Sequence, residues 1–137
     1  MSRIFLDTNI ILDLLAERDP FYESIAKVAT LADQKRLTLV ASPLSFTTVN
    51  YVLNKFESNT SVLNKMRKFK IICEICDVNE QTIEKGLNSD FKDFEDSIQF
   101  FSALQSNCNI ILTRNGKDFK EATIPIMTAE EYLSSLI

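Results

Sequence analysis

Short apolar runs of strand length alternate along this chain with longer segments of helical period, and that alternation restricts the fold more than any other feature. A strand, a crossover helix and a second strand make a parallel pair, so repeating the unit builds a parallel sheet with helices over both faces. Strands are expected at Ile4–Leu6, Leu37–Ala41, Ile71–Val78, Asn109–Leu112 and Ile124–Met127. Helices are expected over Pro20–Gln34, from Ser42-Pro43 to near Phe56, over Ser61–Phe69 and Glu80–Leu87, from Asp93 to Asn107, and over Thr128–Leu136.

Local chemistry supports these helices. Pro20 suits a first turn, with Ile25, Val28, Ala29 and Ala32 as the apolar face behind it. Asp93 can cap the helix in which Asp96 stands three residues on and Phe94, Ile98, Phe101 and Leu104 form a stripe. Thr128, followed by Glu130 and Glu131, repeats the device at the last helix. The expected fold class is α/β: a three-layer α/β/α domain around a parallel sheet of four to five strands, spanning residues 1–137 as one unit.

Composition narrows the chemistry. A chain of 137 residues, 45% hydrophobic and 25% charged, has the size and balance of one globular domain. Acids outnumber bases 19 to 15, giving −4, so bulk positive charge cannot drive nucleic-acid binding and any such contact must be local. The opening MSRIFLDTNIILDLLAER is apolar, yet Asp7 and Asp13 interrupt it well short of a membrane span, and a cytoplasmic protein without membrane attachment is expected.

No histidine occurs, which excludes Ser-His-Asp and Cys-His nucleophiles and imidazole acid/base catalysis. It also leaves Cys73 and Cys76, a C-x-x-C without a second pair, unable to complete a zinc site; with Cys108 they read as small buried hydrophobes, and strand geometry sends Cys73 and Cys76 to opposite faces. With only Gly86 and Gly116 there is no glycine-rich phosphate cradle. Chemistry must therefore come from carboxylates, hydroxyls, lysine or metal.

Ligands of open α/β sheets collect beyond the carboxyl ends of the strands, and three acids from separate segments fall there: Asp7 after the first strand, Asp96 in the first turn of its helix, and Asp118 shortly after the fourth strand. Taken singly, each is better explained as a helix cap or a dipole partner. Their joint placement is what points elsewhere. Converging carboxylates repel unless they take up protons or a cation neutralises them, and Mg²⁺ or Mn²⁺, which prefers oxygen ligands and suits phosphodiester hydrolysis, answers that need.

The motifs F-L-D-T-N at the start, D-F-E-D with its following helix, and the late T-R-N-x-x-D-F occur in an order and spacing that resemble the PIN domain, and the resemblance covers essentially the whole chain. PIN domains are metal-dependent ribonucleases with a parallel sheet between helices, and many are toxins of toxin–antitoxin pairs. The resemblance implies that Asp7, Asp96 and Asp118 are catalytic metal ligands for Mg²⁺ or Mn²⁺, with Asp93 a weaker candidate ligand whose first reading is a helix cap. It also implies that Thr8, Asn9, Thr113 and Asn115 are supporting hydrogen-bonding groups, that RNA is the substrate, and that an antitoxin protein is a partner. Arg114 and Lys117 are the candidates for the substrate backbone, ahead of the NKMRKFK cluster, which reads first as a solvated helix face.

One departure matters. The family commonly supplies a glutamate from the helix after the second strand, and Ser42 to Tyr51 contains no acid. Thr48 is the best positional match, expected to face Asp7 in the cleft, and Asn50 is second. Two expectations follow: a metal-dependent endoribonuclease of the toxin kind, or a catalytically weak or inactive PIN-like domain that binds RNA or a protein partner. A phosphoacceptor receiver domain fits the pattern less well. Phe21, Phe46, Val52 and Phe56 are expected to be partly exposed, forming a homodimer contact or an antitoxin groove, with ordinary core packing as the alternative.

Overall fold

Ile4, Phe5 and Leu6 are fully buried in succession, as are Leu39, Val40 and Ala41, which is the mark of strands covered on both faces. In the computed structural model, which describes residues 1–137, these runs belong to β1 (Arg3–Leu6) and β2 (Thr38–Ala41). With β3 (Cys73–Ile75), β4 (Ile110–Leu112) and β5 (Ile126–Met127) they form one five-stranded sheet in the order β3-β2-β1-β4-β5. Every pairing is parallel, with Phe5 opposite Val40 on one side and Ile111 on the other.

Alternation along each strand divides the core. Ile4 and Leu6 join Leu39, Ala41 and Leu112 on one face, packed under α1 (Thr8–Leu15), α2 (Tyr22–Asp33), α3 (Pro43–Leu53), α4 (Asn59–Ile71) and α7 (Ala129–Ser135). Phe5, Val40 and Ile111 point the other way, against Phe100 and Ala103 of α6 (Phe94–Gln105) and Phe119 of the 3-10 turn Gly116–Phe119. α5 (Glu80–Leu87) packs on α6, closely enough that a Cβ on Gly86 would stand 2.8 Å from both Ile98 and Ser97. The expected three-layer parallel architecture is therefore the observed one. No helix is long and apolar enough to cross a membrane.

The differences are local. α1 is a helix that the sequence pattern did not assign: Asp7, in extended conformation, accepts from the Thr8 amide, and Ile10, Ile11 and Leu12 are buried beyond it. The strand expected at Ile71–Val78 shrinks to Cys73–Ile75, because α4 runs on to Ile71. Cys73 and Cys76 do lie in opposite core clusters, and all three cysteines are buried and unpaired. The buried face of α6 is turned from the expected stripe. Phe94 is exposed, whereas Ser97, Gln99, Phe100 and Ser102 are buried with Ile98, because both α5 and the sheet cover this helix.

Of the four side chains expected at a partly exposed apolar surface, Phe21 and Phe56 are exposed, Phe56 at 79%. Phe46 and Val52 are half-buried, partly exposed as expected while also packing against the core, the Phe46 ring lying 5.8 Å from that of Phe69.

Asp13 also has a role the sequence concealed. It is 1% exposed on α1, and its two oxygens accept from Arg114 at 2.7 and 3.2 Å and from Arg18 at 3.0 Å. A carboxylate that deep is tolerable only when paired in this way.

Candidate functional site

The strand order reverses between β1 and β4, and the crevice beyond their carboxyl ends is where an open parallel sheet binds ligands. Asp7 follows β1 and Thr113 follows β4, and the two meet there. Thr113 Oγ1 donates to Asp7 Oδ2 at 2.8 Å while the Thr8 amide donates to Oδ1 at 2.8 Å. The backbone amide of Asn115 donates to Thr113 Oγ1 at 3.1 Å, so the threonine hydroxyl has its proton committed to Asp7. Burial raises the Asp7 carboxyl above its ordinary range; the bonds from Thr113 and the Thr8 amide and the nearby Gln99 amide group oppose the rise, and the charge of Asp118 adds to it.

Asp93 and Asp96 come from the start of α6. Asp93 caps the helix by accepting from the Asp96 amide at 3.0 Å, as its position suggested. Asp96, one turn in, borders with Asp93, Asp118, Asp90, Lys117 and Lys120 an open cleft of about 290 Å³. Its carboxyl is pushed up to about 7, first by partial burial and then by the charges of Asp93, Asp7, Asp118 and Glu95. Asp118 sits exposed in the 3-10 turn after β4. Asp7, Asp93, Asp96 and Asp118 thus share one electrostatic environment, and none of them forms an ion pair with a lysine or arginine.

No three of these carboxylates converge in ready-made ion-holding geometry. Their chemistry nonetheless fits a divalent cation. The donors are hard oxygens. The neighbouring charges raise the proton affinity of Asp7 and Asp96, and Asp96 and Asp118 have no hydrogen bond to either carboxylate oxygen that a ligand would have to break. Cation binding would need side-chain rotation at Asp96 and Asp118 only, since Asp7 is already held by Thr113 and the Thr8 amide.

Behind Asp7 lies a polar chain that the sequence pattern did not suggest. Ser42, the cap of α3, donates to Gln99 Oε1 at 2.6 Å; Gln99 Nε2 lies 2.8 Å from Ser45 Oγ and 3.3 Å from Thr8 Oγ1; and Ser45 and Thr8 hydroxyls are 2.8 Å apart. Ser45, one turn before Thr48, is thus the α3 residue drawn to the Asp7 segment. Thr48 is half-buried on the same helix, and Asn50 turns away to Met66 and Asn54. The signal for Gln99 was available in principle: a polar residue three positions after Asp96 falls one turn along the same helix face.

The supporting residues fall unevenly. Asn9 has a buried Oδ1 without a hydrogen-bond partner, and Asn115 is exposed at the mouth of the β4 turn. Lys117 lines the cleft. Arg114, expected along the substrate backbone, is instead forked onto Asp13 with its guanidinium 4.0 Å from the Phe21 ring centre, which makes it first a structural residue.

Comparison with known proteins agrees with this fold. Residues 3–117 match the family model described as the PIN domain. The chain is 29% identical over 136 residues to Ribonuclease VapC1 of Aquifex aeolicus, covering 96% of this chain and 93% of that protein. Among solved structures, VapBC2 from Rickettsia felis, crystallised with a DNA fragment from its promoter, superposes with a TM-score of 0.70 at 19% identity, over 92% of this chain and 97% of that one. VapC20 of Mycobacterium tuberculosis, a toxin that cleaves the sarcin-ricin loop, gives 0.67 at 14%, over 86% and 94%. With a family model spanning most of its length and the same fold in solved structures that superpose over nearly all of it, the chain belongs to the PIN domain family.

Proposed function

We propose that this protein is a Mg²⁺- or Mn²⁺-dependent endoribonuclease that hydrolyses RNA phosphodiester bonds in the cleft among Asp7, Asp93, Asp96 and Asp118, and that it is the toxin of a pair whose partner is an antitoxin protein. The observation that carries this reading is the gathering of four carboxylates, none in an ion pair, at the switch point of the sheet. The likeness to a protein named Ribonuclease VapC1 over nearly the whole chain supports the substrate class, and solved neighbours described as toxin–antitoxin complexes support the partner.

A divalent ion held by Asp7, Asp96 and Asp118 would supply charge neutralisation at the phosphate and a more acidic attacking water. The chain's own residues supply the rest. Thr113 and the Thr8 amide hold Asp7 in one orientation, so the carboxylate is preorganised. Lys117 and Lys120 stand at the rim, where they can meet the backbone of an RNA strand without coating the whole surface in positive charge.

A second reading, a PIN domain that binds RNA or protein without efficient cleavage, is favoured by the neutral α3, which offers Ser45 and Thr48 but no glutamate. One experiment separates the two. Purified protein is incubated with a mixed RNA pool in Mn²⁺ or in EDTA, alongside Asp7→Asn and Asp96→Asn. The nuclease reading expects cleavage in Mn²⁺ alone, lost in both variants. RNA left intact by folded wild type in Mn²⁺ would refute it.

A further inference from the structure

The buried chain from Ser42 to Thr8 has a direction, and that direction follows from burial. Ser42 and Ser45 are completely buried and Gln99 is 1% exposed, whereas Thr8 is half-buried and the one member with access to solvent. A buried hydroxyl proton without an acceptor costs on the order of 1–3 kcal/mol, so the arrangement that strands none is strongly preferred.

That arrangement is unique. Ser42 Oγ already accepts from the Ser45 amide at 3.3 Å, and its proton has an acceptor only in Gln99 Oε1, at 2.6 Å. Turning the amide over would put its NH₂ against Ser42 and strand the serine proton. The observed orientation therefore stands, and Gln99 Nε2 faces both Ser45 and Thr8 as a donor. Between those two hydroxyls, Ser45 must donate, because its buried proton has no other acceptor than Thr8 Oγ1, 2.8 Å away. Thr8 Oγ1 then accepts from Ser45 and Gln99, and its own proton is left pointing out of the network.

We infer that Gln99 is a positioning residue: the ordered chain Ser42, Gln99, Ser45, Thr8 fixes the Thr8 hydroxyl as an outward hydrogen-bond donor beside Asp7, where it binds a non-bridging phosphate oxygen of the substrate. This rests on the phosphodiester reading of the cleft. It also explains what the neutral N-terminal turn of α3 contributes. Where a glutamate would add negative charge to the site, Ser45 completes a relay that ends in a donor suited to an anionic substrate.

The test reads binding as well as cleavage. Affinity for a fluorescein-labelled RNA oligonucleotide is measured by anisotropy with Ca²⁺ in place of Mg²⁺, and cleavage of the same RNA is measured in Mn²⁺, for wild type, Thr8→Val, Thr8→Ser, Gln99→Met and the double variant Thr8→Val/Gln99→Met. Loss of one hydrogen bond to a charged group weakens binding about tenfold. Thr8→Val and Gln99→Met are each expected to show that loss, the double variant no more than the single ones, and Thr8→Ser to recover most of it. A merely structural Gln99 would lower the melting temperature and leave the affinity of the folded protein unchanged. Wild-type affinity in Gln99→Met, or losses that multiply in the double variant, would overturn the relay. If Gln99→Met does not fold, Thr8→Val against Thr8→Ser decides, and equal affinity in that pair overturns the donor. RNA bound with the expected variant pattern but never cleaved would refute the nuclease and keep the relay. Cleavage with unchanged Gln99→Met would refute the relay and keep the nuclease, and wild type that neither binds nor cleaves would end both.

Discussion

Thr113 donates its hydroxyl proton to Asp7 Oδ2 at 2.8 Å, tying the end of β4 to the end of β1 at the point where the strand order reverses. The bond favours the ionised carboxylate against the burial that disfavours it. Thr113→Val keeps the shape and removes the donor, so it should raise the Asp7 pKa further and destabilise the protein by about 1–3 kcal/mol near neutral pH. The loss should shrink at about pH 4, as Asp7 takes up its proton. Urea denaturation at both pH values measures this, and an equal loss at the two would show that the bond does not act on the charge.

Asp96 gives the opposite pH signature from an ordinary salt-bridged acid. Its folded pKa, about 7, lies above the ordinary value of 3.8, so the folded state binds the proton more tightly than the unfolded state. Its contribution to stability is complete below the lower value and is lost as pH rises through the upper one. The metal-free protein should therefore melt at lower temperature as pH rises across that window, and Asp96→Asn should flatten the slope. Melting curves in EDTA provide the check, and Mn²⁺ should reverse the trend by stabilising the ionised acids.

Arg114 separates structure from substrate binding. Removing one partner of a buried ion pair costs about 3–5 kcal/mol, but Arg114 is partly exposed and Arg18 still reaches Asp13, so Arg114→Met should cost less, about 2 kcal/mol. RNA affinity of the folded variant should stay close to wild type. A tenfold loss of affinity with unchanged stability would return Arg114 to the substrate backbone.

At the α5–α6 contact, Gly86→Ala should destabilise in spite of alanine's better helix propensity, worth up to about 1 kcal/mol. The new methyl would lie 2.8 Å from Ile98 and Ser97, and overpacking of that kind typically costs about 1–3 kcal/mol. Thermal melting with a net gain in stability would show that the two helices can separate without penalty.

The parallel sheet was legible because Ile4–Leu6, Leu37–Ala41 and Asn109–Leu112 are short apolar runs set between helical periods, and burial on both faces demands such runs. α1 was not, since an apolar run such as Ile10-Ile11-Leu12 fits a buried helix and a buried strand alike. The acids of the site could be placed because strand ends and helix caps fix them locally. The polar position of Gln99 could be noticed, but its pairing with Ser42 and Ser45 could not, because these partners lie 57 and 54 residues away in sequence and meet it only when helices on opposite faces of the sheet come together past the strand ends. Asp13 misled for a related reason: it reads as a break in an apolar run until Arg114, 101 residues later, folds onto it.

Whether Asp7, Asp96 and Asp118 act together on one divalent ion is decided by calorimetric titration of Mn²⁺ into the folded protein. Wild type should show saturable binding, weakened at least about tenfold in Asp7→Asn, Asp96→Asn and Asp118→Asn alike, because each substitution removes a charged oxygen ligand from a shared site. Binding of unchanged affinity in these variants, with each shown to be folded, would mean that the three acids hold no common ion.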